Sequence, residues 1–193
     1  MKWLFIGLGC ALAVAGIAGG IAILCRRRPT HNNDDVDGGV VKRYWADVSK
    51  VIQSTEIVTF HCEISLFATC ETDGLGHRIY TLDAALKDGE VLVKYNWRER
   101  GGESDKAEYK ADADFMVRLQ EIVAAYNFAQ HNGYYHTVSG LPDMYGEKLD
   151  IVYASGERIS VHDNQSGFLP FEAEKALVML FGAATKMEKR INF

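Results

Sequence analysis

The sequence predicts an α+β domain, an antiparallel sheet with helices packed on one face, preceded by a single transmembrane helix. Three observations predict it. The first 28 residues hold a long uncharged run closed by three arginines. Four later stretches alternate apolar and polar residues with a period of two. Three others repeat their apolar residues at helical spacing.

Trp3 to Cys25 is uncharged and is followed by Arg26-Arg27-Arg28. As a helix it would be about 34 Å long, enough to cross a hydrocarbon core of about 30 Å. Ala11-Leu12-Ala13 and Ala13-Val14-Ala15 have the small-x-small form of a signal-peptidase site, so a cleaved signal is the alternative. Apolarity continues well past Ala15 before the arginines end it, and that stop-transfer pattern favours a retained anchor. Three arginines after the span against Lys2 before it put the C-terminal side in the cytoplasm. The opposite orientation rests on Lys2. Gly16 and Gly20 have the small-xxx-small spacing that lets two membrane helices approach closely. Gly and Ala so dominate the span that a homodimer is permitted without being indicated.

Residues 1–28 therefore read as anchor and basic stop, 29–40 as a polar, turn-rich linker, and 41–193 as one domain. The chain of 193 residues has a formal net charge of −5. Setting aside Lys2 and the three arginines leaves 17 basic against 26 acidic residues, or −9, after Arg28. Such a domain repels phosphate backbones, so nucleic acid is excluded as a partner. The expected partners are the lipid bilayer, through residues 3–25, and an unidentified protein or small ligand.

Within the domain, KRYWADVSKVIQ places Tyr44, Trp45, Val48, Val51 and Ile52 on one helical face and predicts a first helix. EIVTFHCEISLFATC alternates, with Val58, Phe60, Cys62, Ile64, Leu66, Ala68 and Cys70 on the buried side. HRIYTLDA and EVLVKYNWRE read as further strands, and KAEYKA as a short edge strand. ADADFMVRLQEIVAAYNF predicts a helix with Asp112 or Asp114 at its N-cap. EKLDIVYASGERISVHD is a hairpin turning at Ser155-Gly156. A last helix starts near Pro170, with Glu172 and Glu174 favouring its N-terminus. Helix, strands, helix, hairpin and helix, in that order, give α+β.

Chemistry-bearing motifs are sparse. Cys62 and Cys70, eight residues apart on one strand face, are too distant for a disulfide and read as core residues. His61 and Cys62 point to opposite faces of a strand and cannot share a metal there. No phosphate-binding glycine loop, nucleophile elbow or zinc-ligand spacing occurs, and no cofactor is called for. Tyr134, Tyr135, His136, Asp143 and Tyr145 are concentrated in residues 130–148, read as a loop. His162 and Asp163 follow the hairpin in HDNQSG. These seven form the candidate ligand-binding set, on the expectation that the two loops meet at one end of the sheet.

NGYY, the hairpin EKLDIVYASGERISV and FLPFEAEKALVMLF together resemble a domain recurring in uncharacterised bacterial membrane-tethered or secreted proteins. The resemblance covers about the last 65 residues and implies a fold and a bacterial source, without an activity. The sequence departs from that pattern at HDN, where small residues and serine are expected. The function expected from all this is a non-catalytic binding or accessory module on a membrane anchor. The alternatives are a tethered hydrolase using His136, His162 and Asp143 or Asp163, a secreted binding domain released from a cleaved signal, and a subunit of a membrane complex.

Overall fold

The computed structural model describes residues 39–45, 47–66, 74–99, 102–140 and 145–191, with side chains described as far as Ala183 in the last helix. All of these lie in one unit, Val36–Phe193. The proposed membrane span, the linker before Gly39, Cys10, Cys25, Cys70 and Asp143 lie outside them. Among the described residues no helix is long and apolar enough to cross a membrane.

Eight strands form a single sheet: β1 (Val40–Tyr44), β2 (Ile57–Ser65), β3 (Arg78–Lys87), β4 (Glu90–Glu99), β5 (Ser104–Ala111), β6 (Tyr134–Val138), β7 (Glu147–Tyr153) and β8 (Arg158–Asp163). Two α-helices, α1 (Ala113–Ala125) and α2 (Phe171–Ile191), and a 3-10 turn at Phe128–His131 complete the described part. The strand order is β1-β6-β8-β7-β2-β3-β4-β5.

The α+β class holds, but the sheet is mixed. β6 and β8 run parallel, with Tyr135 opposite His162 and His136 opposite Asp163, while the other neighbours are antiparallel. The parallel pair arises because β6 enters after α1 and β8 only after the β7 turn, so both travel the same way. A hairpin cannot join such strands.

Strands β2 to β5 follow from local sequence. Asp88 and Gly89 both have positive φ, the geometry of a two-residue hairpin turn, and they join β3 to β4. Phe60, Cys62, Ile64 and Leu66 are buried as the alternation predicts. At the start of β2 a register shift between Ile57 and Thr59 turns Ile57 inward instead of Val58. Asp112 caps α1, accepting from the Phe115 N–H at 3.0 Å. Both helices pack on the same face of the sheet: the Phe181 ring of α2 lies 5.7 Å from Phe60 of β2 and 5.1 Å edge-on from Phe115 of α1.

The first predicted helix is absent from the described part of residues 42–53. Lys42 to Tyr44 belong to strand β1, and the stretch after it is irregular. Helical spacing misleads because backbone groups here find tertiary partners instead. Trp45 N–H donates to Gly133 O at 3.1 Å, and Gln53 and Ser54 N–H donate to the Glu157 carboxylate at 2.9 Å each. Tyr44 and Val51, which the helical face would bury, are exposed.

Candidate functional site

Residues 130–148 are not a plain loop. Asn132 and Gly133 lead into β6, and the chain then lies beside β8. Gly133 has φ +77°, and a Cβ there would run into Val48 Cγ2. Asn132 is buried and uses three side-chain hydrogen bonds: Nδ2 donates to Ser49 O and Arg158 O at 2.8 Å, and Oδ1 accepts from Ser160 N at 2.9 Å. The asparagine thus joins the irregular stretch after β1 to β8, and the N-G pair is explained as structure.

The parallel pairing brings the two predicted segments together and then divides them between two faces. On the helix-covered side, Asp163 is a hub. Its Oδ1 accepts from His136 Nδ1 at 3.0 Å and from the backbone N–H of Gln165 and Ser166 at 2.8 and 3.0 Å. Its Oδ2 accepts from the Tyr134 hydroxyl at 3.1 Å. Burial alone would raise the Asp163 carboxyl, but the Gln165 N–H, His136 and the other donors outweigh it and hold it below the ordinary aspartate range. The Tyr134 hydroxyl is pushed up to about 12, by burial first and then by the Asp163 charge. Tyr44 lies 5.0 Å from the Tyr134 ring, and Lys42 Nζ sits over both rings, at 5.7 and 5.9 Å.

Tyr135 and His162 point to the opposite, open face. Their rings stack at 5.1 Å, and Trp45 leans on Tyr135 at 6.0 Å. With Lys148, Asp150 and Ser160 they line an open groove of about 380 Å³. Tyr145 is exposed, after β6 and before β7. Of the seven predicted residues, Tyr134, His136 and Asp163 form one cluster and Tyr135 and His162 another; Asp143 lies outside the described residues.

The open face beyond the groove is organised by register. Across the sheet, Ser160, Asp150, His61, Asp83, Lys94 and Glu108 stand opposite one another on β8, β7, β2, β3, β4 and β5. From Asp150 onward the charges alternate in sign. Ser160 Oγ donates to Asp150 at 2.7 Å, His61 Nδ1 lies 2.7 Å from Asp83, and Lys94 lies 3.3 Å from Glu108. His61 Nε2 also reaches Glu63 at 3.2 Å. Hydrogen bonds to Asp83 and then Glu63 raise His61 to about 9, so it is an imidazolium at neutral pH. Each charge faces its opposite on the next strand, which is cross-strand stabilisation and builds no field of one sign.

Sequence reading misses this row, although the inward–outward alternation puts His61 and Glu63 on the polar side. It also misses Trp45, which it assigns to a helix that does not form. Among the described residues no group of three or more His, Cys, Asp or Glu side chains is arranged to hold a metal ion. Compared with known protein families, with characterised proteins and with solved structures, the chain matches none.

Proposed function

We propose that the chain is a non-catalytic binding domain, tethered to a membrane through residues 3–25, whose ligand sits in the groove between Trp45, Tyr135 and His162. The observation that carries this reading is the contrast along the open face. The row from Asp150 to Glu108 sets opposite charges against one another in register, whereas the groove, which shares Asp150 with that row, presents three aromatic rings beside polar groups. Rigid aromatic walls with a few polar anchors suit a small ligand or a peptide side chain, because the rings lose little rotamer freedom on contact.

Tyr134 lines the groove as well, but His136 and Asp163, the one pair that favours chemistry, do not. His136 and Asp163 are within hydrogen-bond reach, as an acid–base pair requires. His162 projects from the opposite face, so the two histidines cannot serve one reacting atom. Asp163 already accepts from two backbone N–H groups, which is how a connecting segment is fastened.

A fragment library screened by ligand-observed NMR tests the proposal. Fragments that bind the wild type and are lost in both Trp45→Ala and Tyr135→Ala support it. Equal binding by wild type and variants, or none to the wild type, overturns it. The tether is tested by paired C-terminal fusions to a fluorescent protein and to alkaline phosphatase. Fluorescence in the membrane fraction, without phosphatase activity, supports an anchor with the domain in the cytoplasm. Soluble phosphatase activity overturns the anchor.

A further inference from the structure

The strap from Asn164 to Leu169, which joins β8 to α2, is fastened at both ends by buried carboxylates. Asp163 accepts from the N–H groups of Gln165 and Ser166. At the other end Glu147 Oε2 accepts from the N–H groups of Phe168 and Leu169, at 2.6 and 2.9 Å. Gly167 lies against the same carboxylate: a Cβ there would stand 3.2 Å from Glu147 Cδ.

Glu147 is only 2% exposed, and its second oxygen, Oε1, is buried with no hydrogen-bond donor. The neighbouring polar group is a second acid, Glu174, in the first turn of α2 and 7% exposed. Two carboxylates in contact and out of water cannot both be ionised, since desolvation and mutual repulsion add. One proton removes both difficulties. It cancels a charge and gives Oε1 the donor it lacks.

We infer that Glu147 and Glu174 share a single proton, and that this buried carboxyl pair is a pH-sensitive latch holding the first turn of α2 and the strap 164–169 against the sheet. Burial first, then the hydrogen bond and charge of Glu147, raise Glu174 to about 9. From β2 the pair meets Cys62, whose thiol burial and these two acids push well above its ordinary value. From β8 Asp163 stands opposite Glu147 in register. Among the described residues, none of the groups that shift Glu174 is a cation.

The sign follows from linkage. Unfolded, Glu174 titrates near its ordinary value of 4.5; folded, it keeps its proton to about 9. The folded state therefore binds more protons between those values, and the latch weakens as pH rises through that window. It is fully closed below the window and released above it.

The test follows the protonated carboxyl C=O stretch by infrared difference spectroscopy on the full-length chain. The expected result is one protonated carboxyl at neutral pH, persisting to about pH 9. It is absent in Glu174→Gln, whose amide supplies the Oε1 donor without a proton. In Glu147→Gln, which leaves Glu174 buried but removes its charged neighbour, it is lost at a pH below about 9. Loss of the band in the ordinary glutamate range overturns the inference, as does a band unchanged in both variants. Because the wild-type titration alone can fail, a variant that does not fold leaves the inference testable. Hydrogen exchange at Phe168 and Leu169 reads the latch itself. Exchange at these amides should rise above about pH 9 in the wild type relative to Glu174→Gln at the same pH. Equal exchange at every pH overturns the latch.

Discussion

Asp163 and Glu174 are buried to nearly the same degree, 4% and 7% exposed, on either side of one strap, yet they titrate in opposite directions. Asp163 is supplied with donors: two backbone N–H groups, an imidazole and a phenol. Glu174 has another carboxylate for a neighbour. Burial penalises charge at both ends, so the donors decide which acid keeps its proton. The difference sets opposite responses to pH. Asp163 contributes stability present above the ordinary aspartate range and lost as pH falls through its lowered folded value. The Glu174 pair contributes stability at low pH that is lost as pH rises toward about 9.

The largest expected effect breaks the donor-rich end. Asp163→Ala leaves the Tyr134 hydroxyl, His136 and two backbone N–H groups without their acceptor. It should cost about 3–5 kcal/mol, the usual penalty for removing one member of a buried charged network. For a domain of this size that lowers Tm by roughly 10 °C or more. Glu174→Gln, at an equally buried acid, should lose no stability at neutral pH and should become progressively more stable than the wild type as pH rises from 4.5 toward about 9. Urea unfolding of both variants at neutral pH and near that value checks the pair. Similar losses for the two at neutral pH would show that burial, not donor supply, sets the value of each carboxyl.

Asn132→Ala comes next. It leaves the carbonyls of Ser49 and Arg158 and the N–H of Ser160 unpartnered, at about 2–3 kcal/mol by urea unfolding. An asparagine whose removal cost under about 0.5 kcal/mol, less than one ordinary hydrogen bond, would not be the tie that holds the segment after β1 to β8.

Asn132, and Asp163 through His136 and Tyr134, act on partners that local sequence does not reveal, and in this they differ from most of the fold. The strands β2 to β5, helix α1, the β7–β8 hairpin and the start of α2 follow from periodicity, turn chemistry and capping, all encoded within a few residues. β1 reads as helix because Tyr44, Trp45, Val48, Val51 and Ile52 happen to fit a helical face. The partners of this stretch lie far off and leave no local mark: Asn132 is 83 residues from Ser49, and Glu157 is 104 from Gln53. The candidate set divides for the same reason. Alternation within a strand separates Tyr134 and His136 from Tyr135, but only once residues 134–138 are known to be a strand. Glu174 reads as ordinary helix-start charge, and nothing near it in sequence announces Glu147.

His61 sharpens the comparison on the open face, where the acids face cations. Asp83→Asn removes the largest cause of its raised value, so His61 should titrate well below 9 and nearer its ordinary 6.5 when followed by NMR. The stability it contributes is complete below 6.5 and lost as pH rises to about 9, the same sign as the Glu174 pair. For a partly exposed pair in a screened surface row, the cost of Asp83→Asn should stay near about 1 kcal/mol or less. A His61 that still titrates near 9 in Asp83→Asn would assign the shift to Glu63.

The smallest expected effect on stability is at Trp45, and that is why it discriminates. The residue is 38% exposed, and its ring lies against Tyr135 across the mouth of the groove. If the ring mainly covers the sheet edge, Trp45→Ala should destabilise as a packing residue does, by more than about 1 kcal/mol, and alter nothing else. If it is a wall of a binding groove, the variant should unfold within about 1 kcal/mol of wild type while its fragment binding disappears. Urea unfolding and ligand-observed NMR on the same two proteins separate these cases. A residue that costs little to remove from the fold, yet removes binding, is present for the ligand.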